Sequence, residues 1–143
     1  YVKISDSKFA NNDAKYGGAI DSYDHEINIE NTEFTNNKAE KYGGAIYNER
    51  DATLTNTKFT DNNATVGGAI QTKSDMSISN SEFIGNGEDC IDVNSGAKIT
   101  LNNVTKDYLV ISYDKGDTLY VPCPQLDLIS KYIGAFKAGE TKR

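Results

Sequence analysis

Over the first 105 residues apolar and polar positions alternate in short stretches, as at Ile27 and Ile29, and never keep helical spacing for more than a turn. The pattern predicts short strands that recur with a fixed period. Phe9, Phe34, Phe59 and Phe83 fall 25, 25 and 24 residues apart, and an asparagine follows each by three: Asn12, Asn37, Asn62 and Asn86. Ile4, Ile29, Leu54 and Ile78 precede them by five, and Asp6, Asn31, Asn56 and Asn80 by three. Three periods also carry a Gly-Gly-Ala-Ile run, at Gly17–Ile20, Gly43–Ile46 and Gly67–Ile70, and Leu101 and Asn103 begin a fifth turn.

A period of about 25 residues with several strands, glycine corners and no helix is the length of one coil of a parallel solenoid. A single coil cannot bury its own inward face, so coils stack about 4.8 Å apart and like residues lie above like. The phenylalanines then form one interior column, the Ile/Leu slots a second and the Ala-Ile pairs a third. Asparagines at corners can hydrogen-bond from coil to coil or adopt left-handed backbone conformations, and the glycine pair permits positive φ or leaves room at a tight bend. The expected fold is all-β: a parallel β-helix (solenoid) of four to five coils over residues 1–105, followed at 106–143 by a β-hairpin and a short amphipathic helix acting as a cap.

The Phe-x-x-Asn-x-Ala pattern followed by Gly-Gly-Ala-Ile, as in Phe34–Ala39 and Gly43–Ile46, resembles the repeats of polymorphic outer-membrane proteins and adhesin-like surface proteins. The resemblance implies a right-handed parallel β-helix displayed at a cell surface or secreted, serving adhesion or spacing, with a protein or glycan as surface ligand.

The fourth period replaces Gly-Gly-Ala-Ile with Gly87-Glu88-Asp89-Cys90-Ile91-Asp92-Val93-Asn94-Ser95-Gly96. This run is similar to the Asp-Asp-Cys-Ile and Asn-Ser-Gly segments of polygalacturonases, which hydrolyse with two carboxylates roughly 6.5–9.5 Å apart. Glu88, Asp89 and Asp92 are the candidate carboxylate cluster. That family also requires a Gly-His-Gly turn and an Arg-x-Lys motif; the one histidine, His25, has no flanking glycine and Arg-x-Lys is absent. The segment therefore reads as a degenerate repeat with Cys90 and Ile91 pointing inward, and the chain is expected not to be an enzyme. An oxygen-only cluster suits calcium, but the aspartate-bearing glycine nonapeptide of calcium-binding solenoids is missing, so neither metal nor cofactor is expected.

After Asn103 the period stops, and the charge balance shifts from nine Lys/Arg against sixteen Asp/Glu in 1–105 to six against five in 106–143. Tyr108–Tyr113 and Thr118–Val121 flank an Asp114-Lys115-Gly116-Asp117 turn and predict the hairpin. Leu126, Ile129, Ile133 and Phe136 then recur at helical spacing and predict the cap helix, lying over Leu101 and Val104. Residues 107–134 resemble the C-terminal part of the RNA-polymerase-interacting, CarD-like module of bacterial transcription-repair coupling factor, in the Leu119-Tyr120-Val121-Pro122 strand and the Leu126–Tyr132 helix. The resemblance implies RNA polymerase as an alternative partner and a cytoplasmic location. Such a junction also suggests a chimera.

Composition narrows the classes further. The net charge of −6 and the absence of Trp leave no basic, aromatic groove for nucleic acid. No apolar run is long enough to span a membrane. Cys90 and Cys123 lack zinc spacing and either pair across the cap or stand as buried thiols. Tyr1 falls in a strand slot, which suggests excision from a longer solenoid or end-to-end self-association. Tyr16, Tyr42 and Tyr47, near the glycine corners, are the candidate exposed aromatic strip for a glycan or protein.

Overall fold

Alternation along each coil puts every second side chain inside, and the columns that result define the molecule. The computed structural model describes residues 1–87, 90–94, 96–106 and, as backbone alone, 109–111. One face stacks β1 (Val2–Ser5), β5 (Ile27–Glu30), β9 (Ala52–Thr55), β12 (Met76–Ile84) and β14 (Ile99–Lys106) in parallel. A second face stacks β2 (Lys8–Ala10), β6 (Glu33–Thr35), β10 (Lys58–Thr60) and the end of β12. A third stacks β4 (Ile20–Ser22), β8 (Ile46–Asn48), β11 (Ile70–Thr72) and β13 (Ile91–Val93). Between the second and third lie β3 (Asp13–Tyr16) and β7 (Lys38–Tyr42), continued by the bridges Lys38↔Asn63 and Tyr42↔Val66. The protein is a parallel β-solenoid of about four turns.

Registration is residue for residue. Phe9 pairs with Phe34, Phe34 with Phe59 and Phe59 with Phe83, and their rings stack within 5° of parallel at 5.0, 4.8 and 4.6 Å. Ile4, Ile29, Leu54, Ile78 and Leu101 form a second column, and Ile20, Ile46, Ile70 and Ile91 a third. Cys90 takes the slot of Ala45 and Ala69, accepting the backbone N–H of Ala69 as Ala69 accepts that of Ala45. It is buried and is not a free thiol; any pairing with Cys123 falls outside the described residues. First-coil members of the columns, Ile4, Phe9 and Ile20, are only half-buried because a coil covers them on one side.

The structure divides between neighbouring residues the two jobs expected of the corner asparagines. Asn11, Asn36 and Asp61 take left-handed φ of 55–61°, as do Asp6, Asn31, Asn56, Asn80 and Asn103 at the other corner, with 51–57°. On the outside of these bends the amides of Asn31, Asn36, Asn56 and Asn103 donate back to the preceding coil. Asn37, Asn62 and Asn86 instead form an interior ladder, begun by Asn12, which is exposed on the first coil. Asn37 Oδ1 accepts both the backbone N–H and the Nδ2–H of Asn12, and Asn62 and Asn86 repeat the arrangement at 2.9–3.0 Å. The second Nδ2 hydrogen goes to a phenylalanine carbonyl one coil back, Phe9, Phe34 or Phe59. A buried amide with both donors and its acceptor occupied adds specificity at no unmet-polar penalty.

Each glycine of the pair has its own reason. Gly17, Gly43 and Gly67 have φ of 55–69°, whereas a Cβ on Gly18, Gly44 or Gly68 would collide with backbone of the next coil. At the top of the stack the described residues add one antiparallel pairing. Leu109–Ile111 (β15) runs antiparallel to β14, Val104 opposite Ile111, so the edge of the last coil is paired over Val104–Lys106. The expected second arm, Thr118–Val121, and the cap residues Leu126, Ile129, Ile133 and Phe136 lie outside the described residues.

Candidate functional site

Because the inward columns are filled by like residues, variation from coil to coil is carried by the outward positions, above all on the third face. Its central residues Asp21, Tyr47, Gln71 and Asp92 are in register and point outward between inward neighbours. On the adjoining wall Tyr16 pairs with Tyr42, and Tyr42 bridges to Val66. An irregularity between Ala14 and Tyr16 absorbs the one-residue excess of the second coil and brings the two tyrosines level.

The glycine corner folds these two rows together. Tyr16 and Tyr42 stack at 5.5 Å with a 25° tilt, and Tyr47 lies 5.8 Å from each. The expected strip of three exposed rings is therefore corrected. Tyr42 is 37% exposed and Tyr16 half-buried, but Tyr47 is only 4% exposed because the others cover it. The sequence reading also missed Tyr23, 50% exposed, which meets Tyr47 edge-on at 6.1 Å. Its signal was its place two residues beyond Asp21, the register partner of Tyr47, just past the end of β4.

Charge closes the patch. Tyr47 donates its hydroxyl to Glu49 Oε2 at 2.7 Å, Lys73 Nζ lies 3.7 Å from the same oxygen, and the Lys73 and Lys15 ammonium groups sit 5.7 Å from the ring centres of Tyr47 and Tyr16. Burial raises the Tyr47 phenol above its ordinary 10.0, while Tyr47 first, and Glu49 after it, raise Lys73 above 10.5. Asp21 is raised by burial and then by the Glu49 charge, and its carboxylate in turn raises Tyr23. Tyr47 and Lys73 thus hold their protons more tightly in the folded chain than in the unfolded one. The stability they add is present below about pH 10 and lost as pH rises through their folded values. Tyr47→Phe, lacking the phenol, is expected to lose less melting temperature than the parent between pH 8 and about pH 11; equal losses would contradict this coupling.

Of the candidate carboxylates, Glu88 and Asp89 lie outside the described residues. Asp92 is half-buried and accepts Gln71 Nε2 at 3.1 Å, as Asn94 Oδ1 does at 2.7 Å. Gln71 Oε1 is the one buried side-chain polar atom among the described residues with no hydrogen-bond partner. Among those residues no three of His, Cys, Asp and Glu are grouped to hold a metal. No helix among them is long and apolar enough to cross a membrane.

Stacked columns, glycine corners and parallel register define a β-helix, and the family "Right handed beta helix region" matches residues 1–119. The chain belongs to that family, which fixes the hand of the coil. A stretch of 37 residues is also 46% identical to the transcription-repair-coupling factor of Bacillus subtilis (strain 168), covering 26% of this chain and 3% of that protein's length. No solved structure gives a significant match.

Proposed function

We propose that this chain is a non-catalytic segment of a surface or secreted β-helix protein and works in adhesion or display, as a stiff rod carrying a recognition patch. One observation carries the reading. Inward positions repeat from coil to coil, as at Ile20, Ile46, Ile70 and Ile91, while their outward neighbours change from Asp21 to Tyr47, Gln71 and Asp92 and gather four tyrosines at one place. A scaffold kept constant inside and varied outside suits binding, with a protein or glycan as ligand. Beads coated with the chain are expected to be retained on cell-wall or mucin-coated surfaces under flow; retention no better than with uncoated beads would overturn the proposal.

The 37-residue match to a transcription-repair-coupling factor favours a second reading, RNA polymerase binding by a chimeric protein in the cytoplasm. Capture of the chain by immobilised polymerase β subunit would establish it. Depolymerisation of polygalacturonate, lost on Asp89→Asn, would instead establish the hydrolase reading of the fourth repeat.

A further inference from the structure

We infer that Asn63 is an acceptor site for an N-linked glycan, read on the folded chain in the triplet Asn63-Ala64-Thr65. The inference rests on the surface-or-secreted reading in one respect: enzymes that transfer such glycans meet their chains at or beyond a membrane. The same Asn-x-Thr spacing recurs at Asn103-Val104-Thr105. The two triplets differ in what their side chains already do.

An amide nitrogen is a poor nucleophile because its lone pair is shared with the carbonyl. To use it, a transferase must hold the amide by its Nδ2 hydrogens and grip the hydroxyl two residues on, so the side chain has to be within reach and unengaged. Neighbouring asparagines fail that requirement. Asn62 is 1% exposed and gives its hydrogens to the ladder, to Asn86 Oδ1 and to the Phe34 carbonyl. Asn103 donates to Asn80 Oδ1 at 2.9 Å, and Val104 in the middle of its triplet is buried. Asn63 is exposed, and among the described residues no group bonds its side chain.

The backbone presents the triplet. Asn63 takes the exposed slot of Asp13 and Lys38, with its N–H bonded to Asn37 O and its carbonyl to the Ala39 N–H, both at 2.9 Å. A glycan there points away from the core and disturbs no column. Between the bridges at Asn63 and Val66 the third coil has only Ala64 and Thr65, where the second coil has Ala39-Glu40-Lys41. Neither N–H of that pair bonds to another coil among the described residues, and the strand gives way to a bend at Thr65. Thr65 is exposed and borders a hollow of about 330 Å³ beside Tyr42. Its hydroxyl donates to the Glu40 carbonyl at 2.8 Å and keeps its lone pairs for a donor on the enzyme.

Asp61 adds a second mark. It stands two positions ahead of Asn63, in the left-handed corner column where other coils carry Asn11, Asn36 and Gly85. Its φ of 56° matches the 55–61° of those asparagines, so the turn itself does not require an acid. A transferase that also grips a carboxylate two positions before the asparagine finds one in Asp61; Leu101 fills that place ahead of Asn103. In the transfer, Asn63 Nδ2 attacks the anomeric carbon of a lipid diphosphate-linked oligosaccharide. The bond from that carbon to the diphosphate oxygen breaks as the carbon–nitrogen bond forms, the lipid diphosphate leaves with the electron pair, and one amide hydrogen passes as a proton to a base of the transferase.

The folded full chain, incubated with a purified bacterial oligosaccharyltransferase of the acid-requiring kind and a lipid diphosphate-linked oligosaccharide, is expected to gain the mass of one glycan. Peptide mass spectrometry should place it on Asn63 and find Asn103 unmodified. Asn63→Gln and Thr65→Val should lose the gain, Thr65→Ser, which keeps the hydroxyl, should retain it, and Asn103→Gln should not change it. Asp61→Asn, which restores the corner residue of the first two coils, should lose most of it. The inference is overturned if the folded chain takes up no glycan, whether or not an unfolded sample does, if Asn103 is modified as readily as Asn63, or if Thr65→Val, folded by circular dichroism, is modified like the parent. Modification of Asp61→Asn at the parent's yield would overturn the role given to Asp61. Failure of uptake sinks this inference and leaves the adhesion proposal standing; failure of bead retention sinks the adhesion proposal and leaves Asn63 an acceptor.

Discussion

Gly44→Ala is expected to cost more than about 4 kcal/mol of unfolding free energy or to prevent folding. The added Cβ would overlap the Gly68 carbonyl oxygen and lie 2.6 and 2.7 Å from the backbone N and O of Asn63. All three atoms are main chain, held by coil-to-coil hydrogen bonds such as Gly44 N–H to Gly67 O at 3.0 Å and Asn63 N–H to Asn37 O at 2.9 Å. No side chain can swing aside, so relief requires prising two coils apart. Gly87→Ala provides the contrast. Gly87 has φ of 83° but open space around its Cβ position, so only the left-handed backbone penalty of about 1–2 kcal/mol applies. Urea unfolding of both variants decides the matter, and losses of equal size would refute the steric account.

Phe59→Ala is expected to cost about 3–5 kcal/mol. Phe59 is fully buried between Phe34 and Phe83, with ring centres 4.8 and 4.6 Å away. Truncation removes two stacking partners at once and leaves a cavity that the hydrogen-bonded coils on either side cannot collapse to fill. Phe9→Ala should cost clearly less, since Phe9 is half-buried and stacks on one neighbour only, at 5.0 Å. Denaturant melts that ranked Phe9→Ala as the more damaging would show that the column does not stabilise the rod as described.

The asparagines show how far reading the chain alone can go. Asn36 and Asn37 are adjacent and identical in kind, and the repeat marks both as special. Whether one turns the backbone while the other is buried in an amide ladder depends on which faces inward, and that is decided by the bend between β6 and β7. Tyrosines show the same limit more sharply. Tyr47 occupies an outward slot, which by alternation should be wet, yet the corner folds Tyr16 and Tyr42 over it and leaves it 4% exposed. Tyr23 belongs to the patch through a neighbour 24 residues away. The missing partner of Gln71 Oε1 has no trace in composition or spacing.

Inside the coil, then, residue order alone determined the architecture, because in a solenoid each inward side chain meets its own repeat equivalent and the period names every contact. Outside it, only the folded chain decided which side chains touch, because those contacts run diagonally between rows and across a corner, where the angle of the glycine bend, not the period, sets distance and burial.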